Sequence, residues 1–217
     1  MHVITKNGHR YYQVNGKEYL SVTTPLKILS APALDIWKLR IGEEVAMRVS
    51  AKASKFGTHV HDLCDLISQG LEVTPEEPYV QSVDNFRRWF ETVDKVVASE
   101  QVVFSDTLEL AGKFDLLVQM KGEPGLTMVD IKTGKVRASA ALQLAAYKAL
   151  LKECQGLEVD RRIILSIRHD RKKAKEVECV NKSHAKGCVC MRETHEKDWL
   201  LYQNVVSLFK WGVEYGV

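Results

Sequence analysis

Gly112-Lys113-Phe114-Asp115 and, after a Gly-Pro turn, Val129-Asp130-Ile131-Lys132 are the stretches whose reading decides the fold. On a strand, side chains two apart share a face. Asp130 and Lys132 therefore point one way, and Val129 and Ile131 point the other way into a core. The turn Gly122-Glu123-Pro124-Gly125 pairs this strand with the one carrying Asp115 and can bring the two carboxylates together. Close carboxylates repel and are costly to hold unless a cation sits between them. Hard carboxylate oxygens with room for water suit Mg²⁺ or Mn²⁺. Lys132 beside such an ion can orient or help deprotonate an attacking water and can stabilise charge growing on a phosphate. Those are the parts of phosphodiester hydrolysis. The triplet alone carries little weight, because acid-x-Lys arises by chance roughly once or twice in a chain this long. A surface strand with a salt bridge would read the same way.

Outward from these strands, the pattern alternates in kind. Asn15-Gly16 between Tyr11-Tyr12-Gln13-Val14 and Lys17-Glu18-Tyr19-Leu20 signals a hairpin. Thr24 as cap and Pro25 in the first turn predict a helix start. Trp37, Ile41, Val45 and Val49 predict an amphipathic helix from Asp35 to about Ser50, and a second is expected from Thr58 to Ser68 with Gly70 past its end. Leu71 to Pro78 reads as a loop. Val83, Phe86, Phe90, Val93 and Val97 mark a further long helix. Strands follow at Gln101–Phe104, Thr107–Met120 and Leu126–Lys132, then a helix from Ala138 to Lys152 and a strand from Val159 to Arg168. A polar turn, a returning strand from Lys175 to Val180 and a helix carrying Trp199, Tyr202, Val206 and Phe209 close the chain. This order predicts one α/β domain over residues 1–217, a mixed central sheet flanked by helices. The N-terminal hairpin and helices fall in 1–98 and the catalytic sheet core and closing helix in 99–217.

Gly-x-x-Asp, then Asp-x-Lys-Thr-Gly, then Gln-x-x-x-Tyr on a helix resembles the PD-(D/E)xK nuclease superfamily, a restriction-endonuclease-like fold. The branch it looks like holds RecB-type domains, Cas4 and phage-type exonucleases. The matching residues are Gly112 and Asp115; Asp130, Lys132, Thr133 and Gly134; and Gln143 and Tyr147. An upstream Gly-x-x-x-His on a helix is matched by Gly57 to His61, and Tyr19-Leu20-Ser21-Val22-Thr23-Thr24 also resembles phage members. The resemblance implies that Asp115, Asp130 and the Ile131 carbonyl bind metal, that Lys132 serves the water, and that His61 is a further ligand. Helical geometry sets His61 and Asp65 together on the flank of the Val60, Leu63 and Ile67 stripe, with His59 directed elsewhere. Glu100 is expected to complete a metal site or bond a metal water, with Glu109 as its competitor. Gln143 and Tyr147 share a helix face and are expected to hold Lys132 or the DNA backbone.

The formal charge is only +3, from 31 Lys and Arg against 28 Asp and Glu, so any nucleic-acid signal lies in placement. Lys135 and Arg137 would rim the site. Arg161, Arg162, Arg168, Arg171, Lys172, Lys173 and Lys175 form the densest basic cluster, with Arg171, Lys172 and Lys173 the expected phosphate contacts. Iron–sulfur relatives carry one cysteine before the helix histidine and three late ones. This chain has Cys64 after His61, then Cys154, Cys179, Cys188 and Cys190, which argues against a cluster. Cys179, His184, Cys188, Cys190 and His195 match no common zinc finger. No apolar run approaches the ~20 residues of a membrane span, and Met1–Lys6 lacks the apolar core of a signal peptide. The expectation is a cytoplasmic DNA exonuclease of phage or mobile-element replication, recombination or repair, favoured because no helicase or specificity domain is attached. A single-strand-binding or annealing protein partner and self-association are compatible with it. The alternatives are a Cas4-like nuclease and a nuclease-fold module that binds DNA without cutting it.

Overall fold

A long bent hairpin shared by two five-stranded mixed sheets organises the molecule. The computed structural model describes residues 2–29, 32–180, 191 and 194–216. The first sheet runs β1 (His2–Lys6), β2 (His9–Val14), β3 (Lys17–Ser21), β6 (Leu110–Lys113), β5 (Val102–Ser105); the second runs β10 (Lys175–Val177), β9 (Arg161–Ser166), β8 (Leu126–Lys132), β7 (Leu116–Met120), β4 (Val93–Ser99). Both are mixed, since β3 pairs in parallel with β6, and β8 with β9, among otherwise antiparallel partners. The expected Asn15-Gly16 hairpin forms, with both residues at positive φ (50° and 79°). Asn7-Gly8 makes the same turn one strand earlier, giving β1, which the sequence reading had not assigned. The 98/99 boundary falls inside β4, and the N-terminal strands continue the sheet of β5 and β6.

The second sheet lies between two helical layers, and the pleat of β8 separates their cores. Val129 and Ile131 face one core with Phe86, Val60 and Cys64 from the helices α2 (Glu43–Ser68) and α3 (Val80–Phe90). Met128 faces the other with Leu144, Leu150, Tyr202 and Phe209 of α4 (Ser139–Gln155) and α5 (His195–Tyr215). The Leu and Phe side chains among these each contribute roughly 1.5–3 kcal/mol by leaving water.

Several boundaries depart from the sequence reading. Gly42, at φ 82°, splits the expected Asp35–Ser50 helix into α1 (Pro32–Ile41) and α2. Helix α2 then runs unbroken through residues 51–57, which contain good helix formers and no proline. Val45 and Val49, 38% and 47% exposed, face no core. Helix α3 stops at Phe90, and Val93 and Val97 belong to β4, where β-branched side chains suit a pleat. The expected Thr107–Met120 strand is interrupted at Phe114-Asp115. After Thr24 there is one 3₁₀ turn, and the Thr24 hydroxyl bonds the Arg10 carbonyl rather than capping it. The returning strand β10 ends at Val177, short of the expected Val180. No described helix is long and apolar enough to cross a membrane.

Candidate active site

Glu100 and Asp115 face each other where the bent hairpin leaves one sheet for the other. Glu100, at φ 47°, links β4 to β5, and Phe114-Asp115 links β6 to β7. The ladder continues across the bend: the Glu100 N–H donates to the Asp115 carbonyl (2.8 Å) and the Phe114 N–H to that of Gln101 (3.1 Å). In the neighbouring pair Leu116 stands opposite Val129, so the next position sets Asp115 against Asp130. The Ile131 N–H donates to Asp115 Oδ2 at 2.6 Å, and Lys132 Nζ donates to Asp130 Oδ1 at 2.7 Å. Helix α2 crosses above and brings His61 Nδ1 within 3.5 Å of Asp115 Oδ1 and 3.8 Å of Glu100 Oε1. One ligand atom from each of His61, Glu100 and Asp115 lies within 4.8 Å of the others.

The glycines of the motif are explained by what passes over them. A Cβ on Gly112 would lie 2.6 Å from Tyr147 Cε1 and 3.1 Å from Val22 Cγ2, so only glycine lets the ring of α4 reach the strand. A Cβ on Gly57 would lie 3.3 Å from Thr133 Oγ1, which keeps α2 close to the end of β8. Tyr147 is buried and hydrogen-bonded to Gln143, and both line the cleft, whose volume is about 350 Å³.

Charge at the corner is finely balanced. Burial pushes the His61 imidazolium down, but Asp115 and Glu100 outweigh it and hold its pKa up at about 10. Burial pushes Asp115 up, yet His61, Lys132 and the Ile131 N–H together hold its carboxyl below the ordinary range. Asp130 goes the other way, to about 6, because burial and the Asp115 charge outweigh Lys132. Burial pushes Lys132 down, but Asp130 and Asp115 keep it above its ordinary value as an ammonium. Asp130 Oδ2 is buried with no hydrogen-bond partner among the described residues. Such an acceptor is costly to leave unmatched, and it fits a divalent cation. Carboxylates with one imidazole suit Mn²⁺ or Mg²⁺.

Asp115, Asp130, Lys132, His61 and Glu100 are thus brought together. Ile131 joins through its backbone, with its side chain in the core. Glu109 is elsewhere, exposed and paired with Lys210 at 2.9 Å. His59 stands apart from the cluster, its ring 4.2 Å from Tyr79. Lys135 and Arg137 are exposed just beyond β8.

The basic cluster is smaller than its sequence density suggested. Arg161 is buried among Glu123, Glu176 and Glu178, and Arg162 is 2% exposed, bonded to Asp198 and two backbone carbonyls. Both are structural because β9 carries them into the core. Arg168 pairs with Asp170. Arg171, Lys172 and Lys173 remain exposed.

The sequence reading missed two cations on the cleft wall. Lys113, an x of Gly-x-x-Asp, pairs with Glu100, and Arg10 bonds the Tyr12 hydroxyl at 3.0 Å. Alternation along β6 could have found Lys113; nothing local marks Arg10. Of the cysteines, Cys64 is buried, Cys154 exposed and Cys179 half-buried, while Cys188, Cys190 and His184 lie outside the described residues. The metal-suited group found among the described residues contains no cysteine.

The sequence model of the PD-(D/E)XK nuclease superfamily matches residues 76–206, more than half the chain. That span includes Glu100, Asp115, Asp130, Lys132, Gln143 and Tyr147 and excludes His61. No curated protein matches the chain in sequence.

Proposed function

Because the chain belongs to the PD-(D/E)XK nuclease superfamily, whose members are metal-dependent nucleases, we propose that it is a deoxyribonuclease. We further infer an exonuclease acting in the cytoplasm on phage or mobile-element DNA during replication, recombination or repair. The observation that carries the activity is the corner where Asp115, Asp130 and Lys132 meet His61 and Glu100. The absence of a cysteine before His61 weighs against the Cas4-like reading, and a module that only bound DNA would have no need of Asp115, Asp130 and Lys132 together.

His61, Glu100, Asp115, Asp130 and the Ile131 carbonyl would hold Mg²⁺ or Mn²⁺. When bound, the cation polarises a phosphate oxygen and acidifies a water. Hydrolysis adds water across one P–O bond: the water oxygen bonds phosphorus, its proton departs, and the leaving oxygen is protonated. Lys132, kept an ammonium by its two aspartates, orients the water and stabilises the charge growing on the phosphate rather than taking the proton. Asp130 fixes the Lys132 amine, and the Ile131 N–H fixes Asp115. Gln143 and Tyr147 wall the cleft and position the DNA backbone, while Arg10, Lys113, Lys135 and Arg137 hold flanking phosphates.

End-labelled single- and double-stranded DNA with Mg²⁺, Mn²⁺ or EDTA, alongside Lys132→Ala, tests this. Cleavage should require the cation, release products from an end, and fall at least ~100-fold in the variant. Metal-independent cleavage, or full activity in the variant, would overturn it.

A further inference from the structure

Helix α5 carries two apolar stripes, and the fold uses one of them. Tyr202 and Phe209, with Trp199 and Val206 beside them, face the core that α5 shares with α4. At ~100° per residue, Leu201, Leu208, Trp211 and Tyr215 fall on a different side of the helix, with Asn204 among them. These positions step by three and four residues in alternation, the period of a coiled-coil seam. The four apolar members are 43–62% exposed. Leu208 and Trp211 also wall a groove of about 440 Å³, closed on its other side by His9 and Ile28.

The size of the stripe suits a dimer. With Leu200 and Ile28 at its edges it offers roughly 500 Å² of apolar surface, taking a whole aromatic side chain at about 150–250 Å². A contiguous patch of that size on a chain that stayed alone would be at the upper end of what monomers expose. A stable dimer buries about 800 Å² per partner, of which about 65% is apolar. The stripe therefore supplies the apolar share.

Charge selects the partner and its direction. Lys197 stands at one end of this side of α5 and Glu214 at the other, with no charged residue on that side between them. Both are exposed, and neither has an ion-pair partner among the described residues. A second copy lying parallel would set lysine beside lysine and glutamate beside glutamate. An antiparallel copy, with the twofold axis between Asn204 and Leu208, brings each Lys197 to the other's Glu214. The same register sets Leu201 opposite the second copy's Trp211, where it enters the groove as a knob enters a hole.

We propose that the chain forms a twofold dimer in which α5 packs antiparallel on α5 of a second copy through this stripe. The groove and the catalytic cleft share no lining residue, so the dimer forms whether or not the corner cuts DNA.

Sedimentation equilibrium of the full chain, without DNA or metal, over ~1–100 µM tests this. Wild type should reach twice the chain mass at the upper end. Leu208→Glu should stay monomeric throughout; the position is exposed, and an unchanged circular dichroism spectrum verifies the fold. Lys197→Glu and Glu214→Lys each set like charges together at both ends of the seam. Each should weaken the dimer at least about fivefold at low salt, and the combined variant should restore it to within about twofold. A wild type that remains monomeric, a folded Leu208→Glu chain that still pairs, or a charge swap that restores nothing would overturn the proposal. Unchanged dimerisation in both single reversals, as parallel pairing or another surface would give, would overturn it too.

Discussion

Replacing Gly112 with alanine tests the packing that builds the corner. The new Cβ would lie 2.6 Å from Tyr147 Cε1 and 3.1 Å from Val22 Cγ2, where non-bonded carbons rest at about 3.5–4.0 Å. Tyr147 is 4% exposed and Val22 0% exposed, so neither can swing into water to yield. Overpacking a filled core costs ~1–3 kcal/mol, and contact with two walls puts this case near ~3 kcal/mol. For a chain of this size that lowers the melting temperature by roughly 6–12 °C. Relief by shifting β6 would carry Lys113 and Asp115 with it, so DNA cleavage should fall as well. Urea and thermal denaturation measure the first effect, and end-labelled DNA the second. Tyr147→Leu removes the clashing atom, so the double variant should be more stable than the sum of the single costs by ~1–2 kcal/mol. A wild-type melting temperature for Gly112→Ala, or additivity within ~0.5 kcal/mol, would refute the claim that the glycine makes room for the ring.

Two further outcomes follow from the site and its surroundings. His61→Ala removes the nitrogen donor, and imidazole suits Mn²⁺ better than the oxygen-seeking Mg²⁺. Cleavage with Mn²⁺ should therefore fall at least about tenfold and by more than cleavage with Mg²⁺; equal losses in a metal titration would refute this. His195 is held at about 4 by burial first, then by Lys148 and Arg162. Below its ordinary 6.5 the unfolded chain takes up a proton that the folded one refuses, so stability present above pH 6.5 is lost as pH falls toward 4. Urea midpoints at pH 7 and pH 5 should fall more for wild type than for His195→Ala, and parallel falls would count against it.

Strands, turns and motif spacing were legible in the sequence because they are local. Alternation along β8 separates Val129 and Ile131 from Asp130 and Lys132, and Asn15-Gly16 makes its turn from the conformational freedom of two adjacent residues. Helix limits were less legible. A period of apolar residues does not reveal that Gly42 adopts a positive φ, nor that Val93 begins a strand that β7 will pair.

Tertiary structure alone decided which charges meet. Glu100 and Glu109 look alike in sequence, but only the bend between the sheets sets Glu100 across from Asp115, while Glu109 pairs with α5. Arg161, Arg162 and Arg171 belong to one basic run, yet β9 carries the first two into contact with acids and carbonyls from distant segments and leaves the third in water. The ring contacts among His59, Tyr79, Phe56 and His169 have no sequence signature, since the rings come from three segments. A side chain's neighbours along the chain set its backbone preferences; its charge state, partners and chemistry are set by groups that arrive only when the chain folds.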